Sequence, residues 1–382
     1  MKLISIDNCE NYNFYWTEII SQNSRVFHVL ESKKEEIGYP FRGFALFNLD
    51  NNHLSEFVFP ESNVFRISTV GGSDTVYYLN EKISAKSISF HKCEINKNIH
   101  TVICELDIGS LYNADIGDQS YTKPSISIYG IDDRYMILSI DSLDGRKKQW
   151  SLLDCTKKTF FSFSDPILNR LETISILEKD NHSYIILKTG QVHAKEKEEL
   201  WRENSARLLK EEIIVIDSGV FIDQILNGIL NLGNFIVDLA LNDAAIVNYS
   251  IIGDSITYLK QHFKENITII VNLNPEDLSK KCTTFNGLFN YIWLYEDGAF
   301  SYNYDDKGLL ILDLKDNKIL TRIDSHALVL NVNARELVTY NILENNNLQV
   351  RSINLINNKE KVLAEGRILF VESKNNSIIL LK

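Results

Sequence analysis

From Phe300 to Asp324 the chain reads FSYNYDDKGLLILDLKDNKILTRID, and its apolar positions fall into three short strands joined by two tight turns. Phe300, Tyr302 and Tyr304 alternate with polar residues, the pattern of a strand with one buried face. Asp305-Asp306-Lys307-Gly308 follows, a turn sequence with glycine where positive φ is wanted. Leu309 to Leu314 is then a nearly continuous apolar strand, and Lys315-Asp316-Asn317 reverses the chain into Lys318 to Ile323. The same meander recurs at Ser125 to Tyr129, Tyr135 to Ile140, Gln149 to Asp154 and Thr159 to Phe163. It recurs again at Val64 to Val70, Thr75 to Leu79, Lys86 to Cys93 and His100 to Leu106.

A longer period runs through these strands. An apolar strand that ends in Asp or Asn before a polar turn occurs at Asn48, Asp154, Asp217, Asn272, Asp313 and Asn354. Asp313 and Asn354 are 41 residues apart, whereas Asp154 and Asp217 are 63 apart, so the longer units carry insertions between strands. Short antiparallel strands repeating every 40 to 50 residues or so, about four to a unit, resemble the blades of a β-propeller. The expected fold is therefore all-β, a single propeller domain over residues 1–382 with seven blades, eight being the alternative count. Strands at Leu3 to Ile6, Ile368 to Val371 and Ile378 to Leu381 are expected to close the ring, removing two exposed edges.

Two stretches break the strand pattern. Residues 194–210, AKEKEELWRENSARLLK, are rich in helix formers, which predicts a helical insertion over residues 191–211 inside one blade. Asn274-Pro275-Glu276-Asp277 has a capping residue followed by proline and predicts a second, short helix start. The loop from Asp107 to Lys123 is polar and without period.

Charge narrows the range of functions. The 382 residues hold 40 Lys and Arg against 51 Asp and Glu, a net charge of -11, which argues against general affinity for nucleic acid or anionic lipid. The start, MKLISIDNCENYNFYW, lacks an uninterrupted apolar core, and no run approaches the roughly 18 apolar residues of a membrane span. Five scattered cysteines, odd in number, fit reduced thiols. The chain is expected to be cytoplasmic and monomeric, with no nucleic acid or membrane partner and no cofactor.

Few motifs carry chemistry. Ile251-Ile252-Gly253-Asp254-Ser255-Ile256-Thr257 resembles the nucleophile block of the GDSL hydrolases, which would make Ser255 a nucleophile activated by a distant Asp and His. Its competing reading is a hairpin turn on Gly253 and Asp254. Asp324-Ser325-His326 has one residue too few for the family's acid and histidine block. The hairpin from His91 to Cys104 is expected to set Cys93 opposite His100 and His91 opposite Val102. His91, Cys93, His100 and Cys104 would then share one face as borderline ligands, strung out further than one ion bridges. Gly71-Gly72-Ser73-Asp74 reads as a hairpin, and the acidic turns Asp132-Asp133, Asp141 with Asp144, and Asp305-Asp306 read as solvated turns, with no metal site assigned.

Leu200, Trp201 and Leu208 fall near one face of the expected insertion helix and are the candidate partner-binding residues. With no catalytic signature elsewhere, the leading expectation is a protein-interaction module without enzymatic activity, of inhibitor or immunity type, whose partner is another protein. One alternative is a propeller hydrolase or lyase with its active site at the central channel. Another is recognition of a sugar or small ligand by aromatic side chains such as Tyr295, Tyr302 and Tyr304.

Overall fold

The computed structural model describes residues 2–6, 13–21, 25–31, 41–48, 53–61, 64–70, 74–82, 87–107, 125–141, 148–190, 210–241, 243–252, 254–289, 291–295, 298–305, 308–323, 327–343, 347–368, 370–374 and 377–381. Its strands form a β-propeller of seven four-stranded antiparallel blades and one three-stranded sheet. The three-stranded sheet takes β1 (Lys2–Ile6) from the start of the chain. Blade 1 follows as β2 (Asn13–Ser21), β3 (Arg25–Glu31), β4 (Phe41–Asn48) and β5 (His53–Val58). Blade 2 is β6 (Val64–Thr69), β7 (Thr75–Lys82), β8 (Ser87–Glu94) and β9 (Ile99–Asp107). A single bridge, Phe41 to Val64, links blades 1 and 2.

Blade 3 is β10 (Ser125–Gly130), β11 (Tyr135–Asp141), β12 (Lys148–Asp154) and β13 (Thr159–Phe163). Blade 4 is β14 (Leu171–Lys179), β15 (His182–Thr189), β16 (Lys210–Asp217) and β17 (Ile236–Leu241). Blade 5 is β18 (Ala244–Ile252), β19 (Ser255–His262), β20 (Ile267–Leu273) and β21 (Lys280–Asn286). Blade 6 is β22 (Ile292–Tyr295), β23 (Gly298–Asp305), β24 (Gly308–Asp313) and β25 (Lys318–Ile323). Blade 7 is β26 (Leu328–Val332), β27 (Glu336–Ile342), β28 (Leu348–Asn354) and β29 (Glu360–Gly366). The last strands, β30 (Phe370–Lys374) and β31 (Ser377–Leu381), complete the three-stranded sheet, in which β1 runs parallel to β31.

The recurring Asp or Asn of the sequence has a structural meaning. All six positions lie at or next to the end of a blade's third strand, from Asn48 on β4 to Asn354 on β28. Asp154 accepts from the Thr156 and Lys157 amides, Asp313 from Lys315 and Asp316, and Asn354 from Ile356 and Asn357. Each side chain closes the turn to the fourth strand by satisfying amides the ladder cannot reach. Asp217 uses the same chemistry to start a helix, accepting from Gly219 and Val220. Asn272 departs from the pattern: its side chain accepts from Thr257 Oγ1 at 2.7 Å, and Asn274 accepts the Glu276 amide instead.

The core lies between blades. One cluster joins Leu79 and Phe90 of blade 2, Ile137 and Leu152 of blade 3, and Ile185 and Ile214 of blade 4. Others join blades 1 and 2, blades 4 and 5, blades 6 and 7, and blade 7 with the three-stranded sheet. Alternation along each strand produces this, since both faces of a blade are covered by neighbouring blades. The fit is close where Gly130 of β10 meets Tyr77 of β7: a Cβ there would stand 2.2 Å from the Tyr77 ring.

The described α-helix, α1 (Ser218–Leu226), connects the third and fourth strands of blade 4. Phe221, Ile222 and Ile225 are its buried residues, and Phe221 meets Phe163 of blade 3 edge-on at 5.6 Å. The helical insertion expected over residues 191–211 lies, for residues 191–209, outside the described residues, whereas Lys210 and Glu211 open β16. The helix expected at Asn274-Pro275 is a turn, because the register Leu273 to Lys280 brings the chain straight back into β21. Among the described residues no helix is long and apolar enough to cross a membrane.

Candidate acid–base site

The hairpin β8–β9 has the expected register at one end. Cys93 lies opposite His100 and His91 opposite Val102, so His91, Cys93 and His100 share a face. Cys104 does not join them, because a bulge between Phe90 and His91 shifts the register and sets Cys104 opposite Phe90. The extra residue of a bulge moves every later side chain to the other face. Among the described residues no group of three or more His, Cys, Asp or Glu side chains is placed to hold a metal ion.

What converges on this face is a hydrogen-bonded chain of titratable groups between blades 1 and 2. Tyr78, fully buried on β7, donates its hydroxyl hydrogen to Glu61 Oε2 at 2.9 Å. The Tyr78 hydroxyl oxygen also lies 3.1 Å from His100 Nδ1. The other carboxylate oxygen of Glu61 stands 3.3 Å from His91 Nδ1. His91 Nε2 is 2.8 Å from Ser89 Oγ, and the His91 ring stacks on Tyr78 with centroids 4.7 Å apart. His100 Nε2 faces Cys93 Sγ at 3.7 Å and the Asn98 side-chain oxygen at 3.3 Å. With Glu61 ionised, the Tyr78 proton goes to the carboxylate and His100 Nδ1 donates to the Tyr78 oxygen, which leaves a lone pair on His100 Nε2.

Local structure builds this arrangement. Cross-strand pairing of Tyr78 with His91, and of Cys93 with His100, aligns the rings. Phe59, in the connection between blades 1 and 2, covers Tyr78 at 4.5 Å and places Glu61 two residues on. His91 is 2% exposed and Glu61 22%, so the chain runs from the interior to the surface.

The environment separates the proton affinities. Burial, and then the Glu61 charge, raise the Tyr78 hydroxyl well above the usual phenol range, so it keeps its proton at neutral pH. Burial lowers His100 below the usual imidazole value, although Glu61 pulls the other way, so the ring is neutral at pH 7. Burial, with the nearby Glu94 charge, pushes the Cys93 thiol up to about 12, which leaves it protonated and rules it out as a nucleophile. One face thus holds a proton donor beside a proton acceptor.

The other sequence candidates are placed as follows. Ser255 pairs with Ile252 across a two-residue hairpin, so the hairpin reading holds; Gly253, Ser325 and His326 lie outside the described residues. Asp132 is consumed by its own turn, accepting from the Arg134 and Tyr135 amides, while Asp133 pairs with Lys92 at 2.8 Å and Asp141 with Lys148 at 3.5 Å. Gly71 to Ser73, Asp144 and Asp306 lie outside the described residues, as do Leu200, Trp201 and Leu208. Tyr302 stacks on Tyr291 at 5.8 Å and lies 5.6 Å from Trp293. A second buried charge cluster, Glu212 with Arg170 at 2.7 Å and Lys210 at 2.6 Å, is a paired ionic junction. Sequence reasoning missed Glu61 and Tyr78: the Tyr78 pairing follows from extending the hairpin register one strand, but nothing local marks Glu61.

No protein-family model and no curated protein matches the chain. Solved structures similar to it include a prolyl endopeptidase, at a TM-score of 0.43 and 8% identity, covering 93% of this chain and 50% of that one. Oligogalacturonate lyase from Vibrio parahaemolyticus is similar at a TM-score of 0.41 and 8% identity, covering 87% of this chain and 88% of that one. The β-propeller domain of the Trilobed protease from Pyrococcus furiosus is similar at 0.36 and 10%, covering 93% and 96%. The chain spans half the length of the endopeptidase chain it matches. The expectation of a protein-interaction module is corrected here: the similar structures named for an activity are hydrolases, a lyase and a dehydrogenase, not binding modules. Likeness at this identity speaks to fold, which for this chain is the β-propeller.

Proposed function

We propose that the chain is a hydrolase or lyase that works by acid–base catalysis at Glu61, Tyr78, His91 and His100. The reading rests on one observation: the Tyr78 hydroxyl is held between a carboxylate oxygen at 2.9 Å and an imidazole nitrogen at 3.1 Å. Hydrolysis and elimination each need a group that holds a proton at working pH beside one that does not. His100, partly exposed, is the base through the lone pair on Nε2, which stands 3.7 Å from the Cys93 sulfur. Tyr78, buried and holding its proton, positions His100 and links it to Glu61. The site we propose lies at the junction of blades 1 and 2, where these groups meet.

The test is turnover of a panel of aryl esters, aryl glycosides, peptide anilides and acidic oligosaccharides by the purified chain, followed by two variants. Tyr78→Phe keeps the ring stacked on His91 and removes the shared proton, and His100→Ala removes the base. Each is expected to lower kcat by roughly 100- to 10,000-fold. Wild-type activity should persist to a pH below the usual imidazole range before the acid limb falls, because His100 has to be neutral and its pKa is lowered. Turnover that both variants retain, or no turnover across the panel, overturns the reading.

A second reading, small-ligand or sugar recognition, is supported by the stack of Tyr291 on Tyr302 with rings 12° from parallel. Tyr291 is 51% exposed, so the stack ends in a ring open to solvent. A glycan array that Tyr291→Ala leaves unchanged would remove it.

A further inference from the structure

Ser89 and His91 stand two residues apart on β8 and so share a face of the strand. Both are buried, and the β7–β8 ladder sets Ser89 opposite Asn80 and His91 opposite Tyr78. The Ser89 hydroxyl has one hydrogen, which it donates to the Asn80 carbonyl at 3.4 Å, while its oxygen stands 2.8 Å from His91 Nε2. With that hydrogen spent, the 2.8 Å contact is a hydrogen bond only if Nε2 brings a hydrogen of its own. On the far side of the ring, Nδ1 stands 3.3 Å from Glu61 Oε1, which in an ionised carboxylate accepts and cannot donate. Nδ1 therefore carries a hydrogen as well, since a bare nitrogen there would set a lone pair against a negative charge. A ring with hydrogens on both nitrogens is a cation. Its setting suits one: the Tyr78 ring lies parallel to within 15° at 4.7 Å, so the charge rests on an aromatic face.

We propose that His91 is an imidazolium, held by Ser89 on one side and Glu61 on the other, and that Ser89 is a positioning residue which acts through this charge on Glu61. Burying an isolated cation is costly, but here it is paired with a carboxylate and each N–H has an acceptor. Among the described residues, the titratable groups facing the ring are Glu61 from the connection between blades 1 and 2 and Tyr78 from β7. Cys93 and His100 stand one strand pair further along β8 and β9. The pair fixes Glu61 from both ends, Oε1 by His91 and Oε2 by Tyr78, so the Tyr78 oxygen is aimed at His100. Loss of the Nε2 proton has a defined consequence. The Ser89 hydrogen turns from the Asn80 carbonyl to the bare Nε2, and Glu61 keeps a hydrogen bond from Nδ1 but loses the opposite charge. The effect on catalysis rests on the acid–base reading above, whereas the charge on His91 does not.

The experiment is nitrogen NMR on the full chain with label in its histidines alone, His91 being recognised by its through-space contact with the Tyr78 ring. At about pH 7 both ring nitrogens of His91 are expected to carry hydrogens, and to keep them to about pH 8, past the value at which an ordinary imidazole gives up its second proton. Ser89→Ala and Glu61→Gln should each lose the Nε2 hydrogen and leave a neutral ring protonated on Nδ1. A bare nitrogen on His91 in the wild-type chain at about pH 7 overturns the proposal, and that spectrum needs no variant to fold. Both hydrogens retained in Ser89→Ala overturn the role of Ser89, since a residue that merely packs leaves the charge of the ring alone. Where the substrate panel gives turnover, Ser89→Ala is expected to lower kcat by up to about 100-fold with KM unchanged, and an unchanged kcat overturns the link through Glu61. The two readings fail apart. No turnover with both hydrogens in place removes the acid–base reading alone, and turnover with a neutral His91 removes this inference alone.

Discussion

Individual residues carry the turns that define the blades, and one of them sits in the wrong side chain. Among the described residues, five connections between third and fourth strands place a non-glycine residue at positive φ: Asn98, Lys158, Leu278, Asn317 and Asn358. Asparagine tolerates this left-handed conformation, whereas for leucine the Cβ crowds the following carbonyl at roughly 1 kcal/mol or more. Leu278 has φ 58° and is 45% exposed, so its side chain gains little from packing. Leu278→Asn is therefore expected to stabilise the chain by about 0.5–1 kcal/mol. Urea unfolding monitored by tryptophan fluorescence checks it, and a midpoint at or below wild type would show that leucine makes compensating contacts. The sequence discloses this scale unevenly. The opposition of Cys93 and His100 is readable because two strands around a tight turn have only one simple register. The displacement of Cys104 is not, because strict alternation has no place for the extra residue a bulge inserts.

Between elements, pairs of strands lend each other charges as well as apolar surface. Asp238 on β17 of blade 4 accepts from Tyr258 and from Lys260 at 2.8 Å, both on β19 of blade 5, and Lys280 of β21 stands 3.2 Å away. Burial pushes its carboxyl up, but the hydrogen bonds from Lys260 and Tyr258 outweigh burial and hold it at about 2, against a usual 3.8. The folded chain thus binds this proton less readily than the unfolded chain. The resulting stability, about 2 kcal/mol, is fully present above the unfolded value and is lost as pH falls through the folded one. Unfolding free energy measured from about pH 5 to pH 2 should fall more steeply in wild type than in Asp238→Asn, by about that amount. Parallel curves would mean that the ionic junction contributes nothing to holding blades 4 and 5 together. The strands of this junction were not read from the sequence, whereas β13 was, Thr159 to Phe163 to the residue, since its apolar positions stand between two clear turns. Helix α1 was not, since Ser218 to Leu226 is short and apolar and follows an Asp that elsewhere in the repeat caps a turn.

For the whole molecule, the repeat of third strands was enough to name a propeller, because a capping Asp or Asn every blade is imposed by turn chemistry and survives divergence of everything else. The acid–base site was only half legible, since Glu61 reaches Tyr78 through tertiary placement and no local pattern encodes that. Direction is another property that alternation does not carry: strands at both chain ends are visible in sequence, yet only the structure shows that β1 runs parallel to β31, with Lys2 beside Ser377 and Ile6 beside Leu381. Ile378 and Leu380 of β31 are buried against Val338 and Val350 of blade 7, so β31 is held by side chains without help from β1. What β1 covers is the backbone edge of β31, a row of amides and carbonyls that would otherwise pair with any extended segment. Deleting residues 1–6 should leave blade 7 folded, lower the unfolding midpoint, and make the chain associate as concentration rises. Light scattering against concentration, read with thermal unfolding, separates the two effects. A truncated chain that scatters and melts as the intact one does would mean that the edge of β31 is protected by something other than β1, and that the tie between the chain ends contributes nothing to the ring.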